Sequence, residues 1–110
     1  MYRYAVRNAD RNVDIIETYA RIAKPGEKVT VKYSGNLPGS RKPFDKGEIT
    51  FTLGAGMVIK GWDEEVSGMT VGEKKHITIP PSKAYGIRGS PPAIPPNATL
   101  EFDMELVNIQ

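Results

Sequence analysis

Val58-Ile59-Lys60-Gly61-Trp62-Asp63-Glu64-Glu65-Val66-Ser67-Gly68-Met69 is the stretch that breaks the rhythm of the chain and decides how the rest must fold. Its apolar residues Ile59, Trp62, Val66 and Met69 are spaced three, four and three apart, the period of one helix stripe. Asp63, Glu64, Glu65 and Ser67 take the other side, and Gly68 stands where a helix stops. Such a helix has about two turns, too few to be stable alone, so it needs a second layer to pack against. Strand patterns on either side supply that layer. Val29, Val31 and Tyr33 alternate with Lys28, Thr30 and Lys32; Ile49, Phe51 and Leu53 with Thr50 and Thr52. Ile77 and Ile79 alternate with His76 and Thr78, and Leu100, Phe102, Met104 and Leu106 with Glu101, Asp103 and Glu105. Alternation of this kind means strands with one wet and one buried face. After Leu106 the apolar parity passes to Val107 and Ile109, which predicts a bulge or a change of buried face. The expectation is an α+β fold in which an antiparallel sheet curls over one short helix.

Composition sets the limits. The chain has 110 residues, the size of one domain. Eleven glycines and nine prolines cut it into short runs, which argues against a helical bundle. Without cysteine there is no disulfide framework, thiolate nucleophile or Cys-based zinc site. The formal charge is only +2, and basic residues stand beside acids, as in Glu73-Lys74-Lys75; a nucleic-acid surface would need a denser basic stripe. His76 is the one histidine and falls on the wet face of its strand, which removes triads of the Ser–His–Asp kind. One histidine and scattered carboxylates give no metal-ligand cluster. Gly54-Ala55-Gly56 lacks the Gly-Lys-Ser/Thr of a phosphate loop, and Asn97-Ala98-Thr99 matters as a sequon only in a secretory setting. Met1–Arg7 lacks a signal-peptide apolar core, and no run reaches the ~18 apolar residues of a membrane span. The expected location is the cytoplasm, with the nucleus open. Residues 1–26 are expected to form an edge strand and turn integrated into the domain, with Tyr2–Val6 and Ile15–Tyr19 as strand candidates and Asn8–Asn12 as the turn.

The remaining unusual stretch is Tyr85–Asn97, rich in proline and glycine between two strand patterns. Alone it reads as a stiff loop or a polyproline segment; held against the domain it becomes one wall of a pocket.

Several blocks resemble the FKBP-type peptidyl-prolyl cis–trans isomerases. Val29-Thr30-Val31-Lys32-Tyr33-Ser34-Gly35 is similar to the family's V-x-V-x-Y-x-G strand, Phe44-Asp45 to its FD pair, and Phe51-Thr52-Leu53-Gly54 to F-x-L-G. Val58–Asp63 resembles V-I-x-G-W-(D/E), Gly68–Gly72 resembles G-M-x-V-G, and Ala84-Tyr85-Gly86 resembles (A/G)-Y-G. Ile94–Leu106 is similar to I-P-P-N-A-T-L-x-F-D-x-E-L. Each block is weak alone; their order over residues 27–110 is the signal.

The resemblance implies a five- or six-stranded antiparallel half-barrel around the helix, with an apolar pocket between them and no cofactor or metal. It implies that Trp62 is the pocket floor, Phe44 and Phe102 are walls, and Val58–Ile59 form a rim whose Ile59 N–H donates to the substrate. Tyr85 would be a second donor, Tyr33 and Asp45 a polar corner, and Ile49 and Ile94 further contacts. The implied partners are proline-containing peptides and proteins and the macrolides tacrolimus and rapamycin, with no nucleic acid or membrane, acting as a monomer. Read without the family, Trp62 and Phe102 sit on inward faces and could be plain core. Ile49 stands where phenylalanine is common, and Met57 replaces a usual acid or amide. Ser90 and Ala93 replace bulkier residues. Phe44–Phe51 is shorter than in many relatives, and the arginine that often pairs with the aspartate has no counterpart, leaving Tyr33 and backbone amides as the expected partners of Asp45.

Overall fold

The computed structural model describes residues 21–110; the strand and turn expectations for Tyr2–Tyr19 lie outside them. In chain order the elements are β1 (Lys28–Asn36), β2 (Asp45–Thr52), α1 (Lys60–Val66), β3 (Lys74–Ile79), a 3-10 turn (Pro81–Lys83) and β4 (Leu100–Ile109). The strands form one antiparallel sheet in the order β2-β1-β4-β3. The expected α+β arrangement is therefore present, with four strands among the described residues where five or six were expected. At its N-terminal end Ile22 bridges Thr70, and the Ala23 N–H donates to the Met69 carbonyl at 2.9 Å.

Alternation is cleanest in β4, where Leu100, Phe102, Met104 and Leu106 are buried and Ile109 is buried again. Of the two causes expected for the parity change, a bulge is the one present. Val31 pairs Leu106 and Thr30 pairs Asn108, so Val107 is the extra residue of a bulge. Two alternation readings need correction. Thr30, expected on the wet face, is buried beside this bulge, where its hydroxyl shares a 2.8 Å hydrogen bond with that of Thr50. Ile49, expected inward, is 37% exposed, on the edge strand β2.

The helix is shorter than its apolar stripe. Ile59 is its N-cap and Met69 lies past its end, with Gly68 in the left-handed region at φ +91°. Trp62, Val66 and Met69 are all buried against the sheet. Gly61 explains how closely helix and sheet approach. A Cβ there would stand 2.6 Å from Ile79 Cγ2 and 2.8 Å from its Cδ1, well inside the ~3.5–4.0 Å of carbon contacts. Glu64 and Glu65 tie the outer side of the helix to Lys83 at 2.6 Å and Lys75 at 3.0 Å. No helix among the described residues is long and apolar enough to cross a membrane.

Candidate active site

Where the edge of the sheet meets the start of the helix, side chains from β1, β2, α1, β4 and the adjoining loops enclose a cradle of about 210 Å³. Its floor is Trp62, only 5% exposed, carried by the first turn of α1. Tyr33 from β1 meets the indole edge-on at 4.9 Å between centroids, and Phe102 from β4 does so at 5.2 Å. Phe44, just before β2, meets Phe102 edge-on at 5.7 Å. Edge-to-face packing at these separations is the favoured aromatic geometry, so the rings hold one another's angles.

Gly35 makes that wall possible. A Cβ at this position would lie 2.5 Å from Phe102 Cε1 and 2.7 Å from Phe44 Cζ. The strand needs glycine here because two rings lie against its backbone, a use of strand glycine that the alternation pattern alone does not reveal.

The polar corner is small. The Tyr33 hydroxyl donates to Asp45 Oδ2 at 2.9 Å. Burial first, and then that hydrogen bond, raises the Tyr33 pKa above its ordinary value, so the hydroxyl remains protonated at neutral pH. Asp45 is exposed, and the expected backbone amides do not join Tyr33 as its partners among the described residues. Water can therefore solvate the carboxylate, and the missing arginine leaves no buried charge uncompensated. At the rim, the Ile59 carbonyl accepts the Trp62 N–H at 3.0 Å. The Ile59 N–H has no acceptor among the described residues. Tyr85 is 42% exposed at the opposite lip.

Nine of the ten residues singled out in the sequence line this cradle: Tyr33, Phe44, Asp45, Ile49, Val58, Ile59, Trp62, Tyr85 and Phe102. Ile94 does not. It is 4% exposed within the core, fixed by a pair of backbone hydrogen bonds with Ser90, and supports the loop from behind. Met57 is a lining residue that sequence reading noted only as a departure. It is 62% exposed, and no periodicity marks it because it sits in a turn. A broader hollow of about 530 Å³ lies on the outer face of the sheet among Lys32, Lys74, His76, Asp103 and Glu105. Its size does not make it the better site, for it is open to water and lacks the ring floor of the cradle.

The described residues thus form an antiparallel sheet packed on a short helix, with a ring-floored cradle between them. Residues 19–107 match the model of the FKBP-type peptidyl-prolyl cis-trans isomerases, and the chain belongs to that family. It is similar to peptidyl-prolyl cis-trans isomerase FPR2 of Saccharomyces cerevisiae, 53% identical over 80% of this chain and 69% of that protein. It is also similar to FK506-binding protein 1A of Emericella nidulans, 48% identical over 78% of this chain and 83% of that one. A third relative, the 39 kDa FK506-binding nuclear protein of Drosophila melanogaster, is 51% identical over 86% of this chain. The chain spans 28% of that fly protein and 19% of an Arabidopsis thaliana relative, so some relatives are much longer.

Proposed function

We propose that the cradle catalyses rotation about X–Pro peptide bonds by binding the twisted amide better than the planar one. Conjugation sets the barrier at ~18–20 kcal/mol, while cis and trans X–Pro differ by only ~0.5–1 kcal/mol. Twisting the C–N bond removes the conjugation and leaves a less polar amide. Water stabilises the planar dipole, so moving the bond to an apolar cradle lowers the barrier. This is differential binding, in which each ~1.4 kcal/mol is worth about tenfold in rate. The single observation that carries the reading is the Trp62 ring, buried as a floor and walled by Tyr33 and Phe102.

In this reading the proline ring lies on Trp62 between Phe44 and Phe102. The free Ile59 N–H donates to the substrate backbone, fixing one side of the bond while the other turns. Tyr85 contributes the second donor, and Tyr33–Asp45 borders the rotating carbonyl. Ile49 and Met57 give the outer edge an aliphatic character that favours an apolar residue before proline. No step requires a nucleophile, a metal or a cofactor. The partners proposed are proline-containing peptides and proteins, with the chain acting as a monomer and without nucleic acid or membrane. Tacrolimus and rapamycin should enter as proline mimics, more weakly than where bulkier residues replace Ile49, Ser90 and Ala93. The location proposed is the cytoplasm, with the nucleus as the alternative. Residues 1–26 are proposed to belong to the same domain.

A protease-coupled assay on a Xaa-Pro peptide, repeated with tacrolimus as competitor, tests this. Turnover that tacrolimus abolishes is expected. A chain that binds the macrolide without accelerating isomerisation would instead be a proline-binding module, the reading favoured by the exposed Ile49. Failure of both activities would remove the cradle from consideration.

A further inference from the structure

The rim is built from a turn with little to hold it. Gly54 and Gly56 both adopt left-handed backbone, at φ +81° and +74°, and two glycines so close leave the unfolded turn with exceptional freedom. Within the turn, the Ala55 N–H reaches the Thr52 carbonyl only at 3.3 Å, and the Thr52 N–H points at Met57 Sδ at 3.4 Å, a weak acceptor. Leu53, where the turn begins, is paired with Gly26 at 2.8 Å and Glu27 at 2.9 Å, but beyond it the firm contacts come from Asp63. The Gly54 N–H donates to its Oδ1 at 2.9 Å and the Gly56 N–H to its Oδ2 at 3.2 Å, so each carboxylate oxygen takes one amide.

We infer that Asp63 is a positioning residue for the cradle, its carboxylate holding Gly54 and Gly56 and so fixing the turn that leads into the Ile59 rim relative to the Trp62 floor. Its neighbours on the helix show that this is a distinct use of the charge. Glu64 and Glu65 are spent on Lys83 and Lys75, whereas Asp63 faces two backbone amides and no cation among the described residues. An acid in the first turn of a helix is favourable by itself, but helix stabilisation does not require hydrogen bonds to a turn seven and nine residues away. Because Asp63 directly follows Trp62, floor and rim move as one body. The Ile59 N–H then meets the substrate at a fixed height above the indole. The inference rests on the isomerase reading of the cradle.

Asp63→Asn tests it. The amide retains one acceptor oxygen but turns an NH2 towards the second N–H, and Asp63→Ala removes both acceptors. Glu64→Gln, on the outer side of the same helix, is the control for general destabilisation. Three quantities are measured: amide hydrogen exchange at Gly54 and Gly56, thermal stability, and KM and kcat resolved for a proline peptide. Both Asp63 variants should speed exchange at the two glycines and lower kcat/KM by about tenfold, the scale of one hydrogen bond to a charged group. Glu64→Gln should lower the melting temperature while leaving those amides and the kinetics unchanged. Wild-type kinetics in Asp63→Ala overturn the inference, as does an equal kinetic loss in Glu64→Gln. An inactive parent chain whose Gly54 and Gly56 amides still depend on Asp63 overturns the isomerase reading, leaving the clamp as a structural feature only.

Discussion

Gly35→Ala adds a single methyl group to the place where strand and site meet. The new Cβ would stand 2.5 Å from Phe102 Cε1, 2.7 Å from Phe44 Cζ and 3.0 Å from Phe102 Cδ1. Carbon atoms rest at about 3.5–4.0 Å, so the Phe102 ring must retreat by roughly 1 Å. It has little room to do so, being 4% exposed and packed edge-on against Trp62 at 5.2 Å. The backbone cannot yield instead, because β1 is paired on both sides, with β2 and β4. Overpacking of this kind costs about 1–3 kcal/mol, a large share of the roughly 5–15 kcal/mol that holds a domain folded. At about 4–8 °C per kcal/mol for a domain near this size, the melting temperature should fall by roughly 5–20 °C. Turnover should fall by about tenfold or more even at temperatures where the variant is folded, because the displaced ring narrows the cradle. Gly47→Ala is the comparison. Its added Cβ would meet nothing closer than the Tyr33 hydroxyl at 3.8 Å, an ordinary contact, and its melting temperature should barely change. Thermal melts by circular dichroism and a peptide assay on both variants decide the matter. A Gly35→Ala protein with parental melting temperature and turnover would refute the packing argument outright.

Trp62→Ala should cost about 3–5 kcal/mol of stability, while Trp62→Leu should be gentler on the fold and still abolish most proline binding; full turnover in Trp62→Leu would show that the indole is not the floor. Asp45→Asn keeps an acceptor for the Tyr33 hydroxyl, so it should lower the isomerase rate several-fold with little change in melting temperature, and unchanged turnover would remove Asp45 from the reaction. The hydrogen bond to Asp103 at 2.7 Å raises the His76 pKa. The stability this contributes is fully present below the unfolded value of about 6.5 and is lost as pH rises through the higher folded value. The melting temperature should therefore decline slightly from pH 6 to 8, a decline absent in His76→Gln, while turnover stays equal; lower turnover in His76→Gln would mean that the outer face of the sheet contributes to the site.

Legibility followed the physics of each element. β4 and the helix stripe could be read because a buried face repeats regularly along them, and even the bulge at Val107 announced itself as a change of parity. β2 was legible as a strand but not as an edge strand, since sequence period reports a face and not what covers it. That is why Ile49 was expected inward and is 37% exposed. The aromatic members of the cradle were recognised because motifs marked them, whereas Met57 in its turn had no pattern to reveal it. Asp63 looked like an ordinary acid on the wet side of a helix. Its partners are backbone amides of Gly54 and Gly56, and backbone partners leave no trace in side-chain composition.

Core burial and site membership first looked like competing readings of Trp62 and Phe102, yet the structure satisfies both at once. Each is about as buried as the core residues around it, at 5% and 4% exposure, and each also lines the cradle. The rings are rigid because the core surrounds them on their far sides, and a surface loop could not hold Tyr33 and Phe102 edge-on to one indole without large entropic cost. A reaction that needs only a dry surface of fixed shape can therefore be carried out by the exposed margin of a hydrophobic core. The two close-packed glycines fit this logic. Gly61 lets the helix carrying the floor sit against Ile79, and Gly35 lets the walls lie against β1. Methyl groups at these places would change the distance between floor and wall before they changed any chemical group in the site. In this fold the geometry of packing is itself the catalytic apparatus of the proposed reaction, so substitutions that disturb shape should cost turnover and stability together, while those in the polar corner should separate the two.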